Sequence, residues 1–211
     1  MWHPSPQFLY QKGAGPMFDL GPYSLMALAA IFGPVNRVAA TARQGRRTRT
    51  IATGPQAGLS FPVDVATHYS VLLDYGGGQS ATAVVSFDSP VHRFDFLEVT
   101  GTEATIALPD PTTYGGRSML LRVGNEEWQP QPEPVVWGAR GIGVLELARA
   151  HRDDVPHRNG AENAMHILEV MCAIEESIER SSFARVESDF AIARPVPQEW
   201  APEALTLDDS A

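Results

Sequence analysis

Residues 67–88 read Thr67-His68-Tyr69-Ser70-Val71-Leu72-Leu73-Asp74-Tyr75-Gly76-Gly77-Gly78-Gln79-Ser80-Ala81-Thr82-Ala83-Val84-Val85-Ser86-Phe87-Asp88. Thr67, Tyr69, Val71, Leu73 and Tyr75 alternate with His68, Ser70, Leu72 and Asp74, so the two sets fall on opposite faces of a strand. Gly76-Gly77-Gly78-Gln79 makes a turn, and Ala81–Asp88 returns as the hairpin partner. A hairpin at mid-chain argues for antiparallel pairing, because parallel strands need long crossovers.

Strand signals extend on both sides of this hairpin. Val35–Ala42 precedes it; Phe94–Thr100, Thr105–Leu108 and Met119–Val123 follow, with Gly101 and Gly115-Gly116 between them. Connections this short predict an open antiparallel or mixed sheet. Helices flank the run. The first lies between Pro22, suited to a first helical turn, and the stop signal Gly33-Pro34. Leu20, Ser24, Ala27, Leu28 and Ile31 share one side of it, and Leu25, Ala29 and Phe32 the other, so burial on most sides is expected. After Gly141, Val144, Leu147, Ala148 and His151 share a helical face. A longer helix starts near Asn159, a good N-cap with Glu162 placed as in a capping box. Its stripe is Ala164, Ile167, Met171, Ile174 and Ile178, with Glu162, Glu169, Glu176 and Glu179 facing away.

A helix, a run of strands, then helices is an α+β order, with the helices packed on one face of the sheet. The open face needs cover, and a second subunit is the expected cover, making a homo-oligomer. Residues 1–195 are expected to form this domain, and the Pro- and acid-rich residues 196–211 a disordered tail.

Composition narrows the function. The 211 residues are 44% hydrophobic, enough for a sizeable core. A net charge of −9 disfavours nucleic acid, whose phosphates need clustered Lys and Arg. Arg46, Arg47 and Arg49 form the one short basic run and read as a solvated loop or strand edge. Cys172 is the only cysteine, so no intrachain disulfide forms; in an apolar helix it is expected to pack as a small hydrophobe. No metal-ligand spacing of Cys and His appears. Without a signal region or an apolar run of membrane-spanning length, a soluble, cytoplasmic protein is expected, with no membrane partner.

Gly138-Ala139-Arg140-Gly141-Ile142-Gly143, between a strand-like Val135–Trp137 and a helix, imitates a dinucleotide loop. The pattern lacks the third glycine of GxGxxG, and no strand ending in Asp or Glu follows. Gly13-Ala14-Gly15 has no preceding strand. The chain alone is therefore expected to bind no nucleotide.

The N-terminal segment Trp2-His3-Pro4, Pro6, Phe8-Leu9-Tyr10, then Gly13-Ala14-Gly15-Pro16-Met17-Phe18-Asp19-Leu20-Gly21-Pro22-Tyr23 resembles the glucose–fructose oxidoreductase, inositol dehydrogenase and MocA-type (Gfo/Idh/MocA) family. Val99-Thr100-Gly101-Thr102-Glu103, Leu108-Pro109-Asp110-Pro111 with Gly115-Gly116, and Pro156-His157-Arg158 followed by 164–171 resemble later segments of the same family, in order. The resemblance covers roughly residues 1–195. It implies the C-terminal, substrate-side domain of an oxidoreductase acting on a sugar, cyclitol or related polyol. A Rossmann domain, in cis or in trans, would bind NAD or NADP and carry a Glu-Lys-Pro catalytic lysine. No Glu-Lys-Pro is present, and Lys12, the only lysine, lies in the wrong domain to match it.

The resemblance also implies site residues. Asp19 matches the family's helix-start aspartate; a base or proton relay is what oxidising a hydroxyl requires. Read from the sequence alone, without the resemblance, Asp19 is first of all the cap of its helix. Four residues on, where many relatives carry His, stands Tyr23. With an ordinary pKa of about 10 it is a hydrogen-bond donor to a substrate oxygen rather than a base at neutral pH; a packed aromatic is the other reading. His3, Tyr10 and Lys12 fall at the edge of the implied substrate pocket. His157 and Arg158, at a helix start, could bind an anionic or polyhydroxylated group, or be solvated. His166, among apolar neighbours inside a helix, reads as a core or interface histidine. A non-catalytic dimerisation or ligand-sensing module built on the same sheet is the competing function.

Overall fold

A computed structural model describes residues 3–89, 97–132, 140–158 and 160–195. It divides into two compact units, residues 1–90 with 161–192 and residues 91–160 with 193–211. Both are α+β, and every strand pairing among the described residues is antiparallel.

The first unit is built on a four-stranded sheet. Its strands are β1 (Arg37–Arg43), β4 (His68–Asp74), β5 (Ser80–Ser86) and the short β10 (Ala184–Arg185), in the order β10-β1-β4-β5. The expected hairpin is β4–β5, in register with Tyr69 opposite Val85 and Leu73 opposite Ala81. Tyr69, Val71 and Leu73 point inward and are buried with Val38 of β1. Helix α4 (Ala161–Arg180) covers that face, contributing Ile167, Val170 and Ile174, and the Tyr69 hydroxyl donates to Glu175 Oε1 at 2.7 Å. Each such aliphatic side chain taken from water contributes about 1.5–3 kcal/mol. The other face holds Ala39, Thr41, Ser70, Leu72, Thr82 and Val84, and no described helix covers it; Val84 is 59% exposed. A two-stranded ribbon, β2 (Thr48–Thr50) with β3 (Ser60–Pro62), carries a second small core of Tyr10, Ile51, Phe61 and Val63.

The buried face of α4 is rotated from the expected stripe. It runs through His166, Val170, Ala173 and Ser177 beside Ile167, Met171 and Ile174, while Ala164 is exposed. The polar members are there because the sheet and the 184–188 segment supply partners: Ser177 Oγ accepts from Ala40 N at 3.0 Å and donates to Ser182 O. Glu169 does not face away into solvent but accepts from Glu187 N and Ser188 N, at 2.7 and 2.9 Å. Cys172 is exposed rather than packed, since that rotation turns it outward.

The first helical region is two pieces, α1 (Pro16–Asp19) and α2 (Gly21–Phe32). Pro22 has no N–H to give to the carbonyl of Phe18, which breaks a continuous helix at Leu20. Only Gly21, Leu25, Leu28 and Ala29 of α2 are buried; Leu20 and Ile31 are exposed, so burial on most sides does not occur. Gly33 ends α2 with φ 84° and ψ −159°, a conformation open essentially to glycine.

The second unit is a meander of β6 (Leu97–Thr100), β7 (Ala104–Leu108), β8 (Met119–Arg122) and β9 (Gln129–Pro130), followed by α3 (Ile142–Asp153). Helix α3 buries Glu146 and Ala150, not the expected face: Val144 is 71% exposed and Leu147 44%. The first part of the expected Phe94–Thr100 strand, Val135–Trp137, the Gly138-Ala139 start of the glycine loop, Asn159 and residues 196–211 lie outside the described residues.

Candidate functional site

The α1–α2 junction is set by backbone chemistry. Gly15 takes φ 91° and ψ 174° ahead of α1, where a Cβ would press within 3.3 Å of Ala66 O and the Val65 side chain, and Pro16 fits the first helical position that follows. Asp19 N donates to Gly15 O at 3.1 Å and Leu20 N to Pro16 O at 2.8 Å, closing one turn. Asp19 is thus the last residue of a short helix, not the residue that caps the long one. The N-cap of α2 is Leu20, and no side chain caps it. The Asp19 carboxylate is exposed and makes no hydrogen bond or ion pair among the described residues. Tyr23, in the first turn of α2, is 43% exposed, so it is not a packed aromatic.

Tyr10 ends a 3-10 helix (Pro6–Tyr10) and is almost fully buried. Its ring lies 5.4 Å from both Phe61 and Phe87, and the Arg49 guanidinium lies 5.0 Å from its centroid. Burial pushes its hydroxyl above the ordinary phenol range; Arg49 opposes this, while the charges of Asp88 and Asp19 add to it. Tyr10 is therefore a core aromatic whose phenol senses Asp19. Lys12, two residues on, is exposed. His3 accepts from Ser5 N through Nδ1 at 3.0 Å and sets its ring edge-on to Phe8 at 5.1 Å.

His157 and Arg158 belong to the other unit. Arg158 is held by Glu146 Oε1 at 3.1 Å and by the carbonyls of Arg194 and Pro195 at 2.8 and 3.1 Å, so its guanidinium ties segments of its own unit together. His157 is half-buried with Nδ1 lacking a partner, beside an apolar groove of about 520 Å³ lined by Val144, Leu147 and Val155.

One group escaped the sequence reading. Arg49, expected on a solvated loop or strand edge, does lie on the ribbon strand β2, but its side chain is largely buried: it pairs with Asp88, whose other oxygen receives the Thr67 hydroxyl at 2.5 Å. The signal was weak, because Arg49, Thr67 and Asp88 meet only once three separate strands are assembled.

The described residues contain no parallel strand pair. Dinucleotides bind beyond the carboxyl ends of parallel strands, and all pairing here is antiparallel. Nor do they include a cluster of His, Cys, Asp or Glu able to hold a metal, or a helix long and apolar enough to cross a membrane.

Residues 1–107 match a family described as the GFO/IDH/MocA C-terminal domain. No protein of curated function matches by sequence. Among solved structures, an NAD-binding oxidoreductase from Klebsiella pneumoniae superimposes with a TM-score of 0.68 at 19% identity, over 90% of this chain and 54% of that one. A levoglucosan dehydrogenase gives 0.71 at 16% identity, over 89% and 57%. An Agrobacterium radiobacter oxidoreductase in complex with NAD+, L-tartaric acid and magnesium gives 0.57 at 16%, over 81% and 48%. The chain spans about half the length of these structures, and the likeness is one of fold.

Proposed function

Because the chain belongs to the GFO/IDH/MocA C-terminal domain family, we propose that it is the substrate-side domain of an NAD(P)-dependent oxidoreductase. The reaction is at a hydroxyl or carbonyl of a sugar, cyclitol or related polyol. One observation carries the reading: Asp19, at the family's helix-start position, is an exposed carboxylate with no structural task. A carboxylate kept solely for folding would cap α2 or pair with a cation. The polyol class is supported by the names of two similar structures, the levoglucosan dehydrogenase and the oxidoreductase bound to L-tartaric acid.

NAD or NADP falls to a Rossmann domain, in cis or in trans; the proton of the substrate hydroxyl falls to this chain. Asp19 holds that hydroxyl and accepts its proton, and Tyr23 donates a hydrogen bond to the same oxygen. The exposed Lys12 and the half-buried His3, on the lead-in to α1, are proposed as further polyol contacts.

Asp19→Asn tests this in the protein joined to its nucleotide-binding domain. The substitution keeps shape and polarity but removes the base. Turnover falls about a hundredfold, the scale of lost acid–base help, with the melting temperature unchanged. Retained turnover rules out Asp19 as the base.

A further inference from the structure

Arg43 ends β1, the turn into β2 carries Gly45 and Arg46, and Arg49 follows within β2. Where this turn meets the end of β5 there is a cleft of about 400 Å³, lined by Arg43, Gly45, Arg46, Arg49, Asp88 and Ser89. Its floor is fixed. Arg49 lies over the Tyr10 ring and pairs with Asp88. Asp88 also takes the Thr67 hydroxyl, and Thr67 Oγ1 accepts from Gly45 N at 2.9 Å. A side chain at position 45 would run into the Asp88 carboxylate, so only glycine leaves the cleft open there.

With Asp88 committed to Arg49 and Thr67, nothing neutralises the other two arginines. Arg43 and Arg46 are exposed, and neither guanidinium makes a hydrogen bond or ion pair among the described residues. Arg49 Nε is a further buried donor without an acceptor. Three guanidinium charges therefore line the cleft against one carboxylate, a local excess of two positive charges on a chain of net charge −9. Like charges converging on a fixed cleft repel unless an anion lies between them. The guanidinium fork matches the paired oxygens of a phosphate or carboxylate, and charge-assisted bonds of that kind are roughly twice as strong as neutral ones.

We propose that this cleft is a binding site for a small oxyanion, a phosphate or carboxylate group recognised by Arg43 and Arg46 over the Arg49–Asp88–Thr67 floor. The site uses neither Asp19 nor Tyr23 and stands independently of the oxidoreductase reading.

Calorimetry on the full chain at low ionic strength tests it, with inorganic phosphate in one arm and citrate in the other. Saturable one-to-one binding of either anion is expected; phosphate alone identifies a phosphate site, citrate alone a carboxylate site. The double variant Arg43→Gln/Arg46→Gln should weaken binding at least about tenfold, the scale of losing one charge-assisted hydrogen bond, without moving the melting temperature. Should the pair lower stability, Arg46→Gln alone carries the comparison. Arg180→Gln, which removes a surface partner of Glu176 on α4, should leave affinity unchanged. The proposal is overturned if neither anion binds below about 10 mM, if the double variant binds as tightly as the parent, or if Arg180→Gln weakens binding equally.

Discussion

At the scale of single residues, polar groups inside the first unit set its response to pH. His166 is fully buried, with Nε2 accepting from Val35 N at 2.9 Å and Nδ1 facing Ser188 at 2.9 Å to Oγ and 3.1 Å to O. The Val35 bond requires the neutral ring. Burial lowers its pKa below the ordinary 6.5, outweighing the bond to Ser188 and the charges of Glu169 and Asp189, which raise it. A depressed folded pKa means that the unfolded chain takes up the proton first. The stabilisation is thus complete above pH about 6.5 and is lost as pH falls from there toward the folded pKa. Glu169 is also lowered, chiefly by its hydrogen bond with Ser188, but its contribution is lost in a more acid window, beginning near 4.5. Urea midpoints measured between pH 7.5 and 5.5 should therefore fall in the parent protein and stay flat in His166→Gln. A parent midpoint independent of pH over that range contradicts the assignment. That His166 is a core residue was legible from its apolar neighbours; its partner Val35 N was not, because 131 residues separate them.

At the scale of elements, the outer face of β1, β4 and β5 is the face without cover from a described helix. It presents short side chains beside Leu72 and Val84, 37% and 59% exposed, on a sheet whose inner face α4 already covers. We propose that a second copy covers it, the cover expected for a sheet with helices packed on one face only. Sedimentation at high micromolar concentration should show a dimer or larger species, and Val84→Lys should shift the chain toward monomer by placing a charge in the contact. A monomeric parent contradicts this. Alternation gave β4 and β5 correctly because each side of a strand sees one environment. Helices were harder. The spacing located α2, α3 and α4; on α4 it picked out the buried Ile167, Met171 and Ile174, while on α2 and α3 the buried side differed. On α3 the buried positions are Glu146 and Ala150, because Glu146 pairs with Arg158, and no hydrophobic pattern marks a position that a salt bridge keeps inside.

At the scale of the whole molecule, composition and topology bound the ligands. A net charge of −9 argues against nucleic acid, and every strand pairing among the described residues is antiparallel. Titrated with NAD or NADP, the chain by itself should show no micromolar binding by calorimetry; such binding would mean that the glycine loop around Gly141 is more than the entry to α3. The proposed redox chemistry then depends on a partner domain, while the arginine cleft does not. The two can be separated experimentally, one by turnover of the joined protein and the other by anion affinity of the chain alone.

The sequence by itself determined the α+β class, the central hairpin, the place of the helices and the family, because these rest on local period, turn chemistry and an ordered set of short motifs. It also singled out Asp19 and Tyr23. Only the tertiary structure decided what each residue is free to do. It showed that Asp19 closes α1 rather than capping α2, that Tyr10 belongs to a core, that Arg158 is occupied within its own unit, and that Arg49 meets Asp88 and Thr67. The physical reason is the same throughout. Whether a polar side chain is available depends on partners brought from distant parts of the chain, and periodicity reports only the side of an element on which a residue falls.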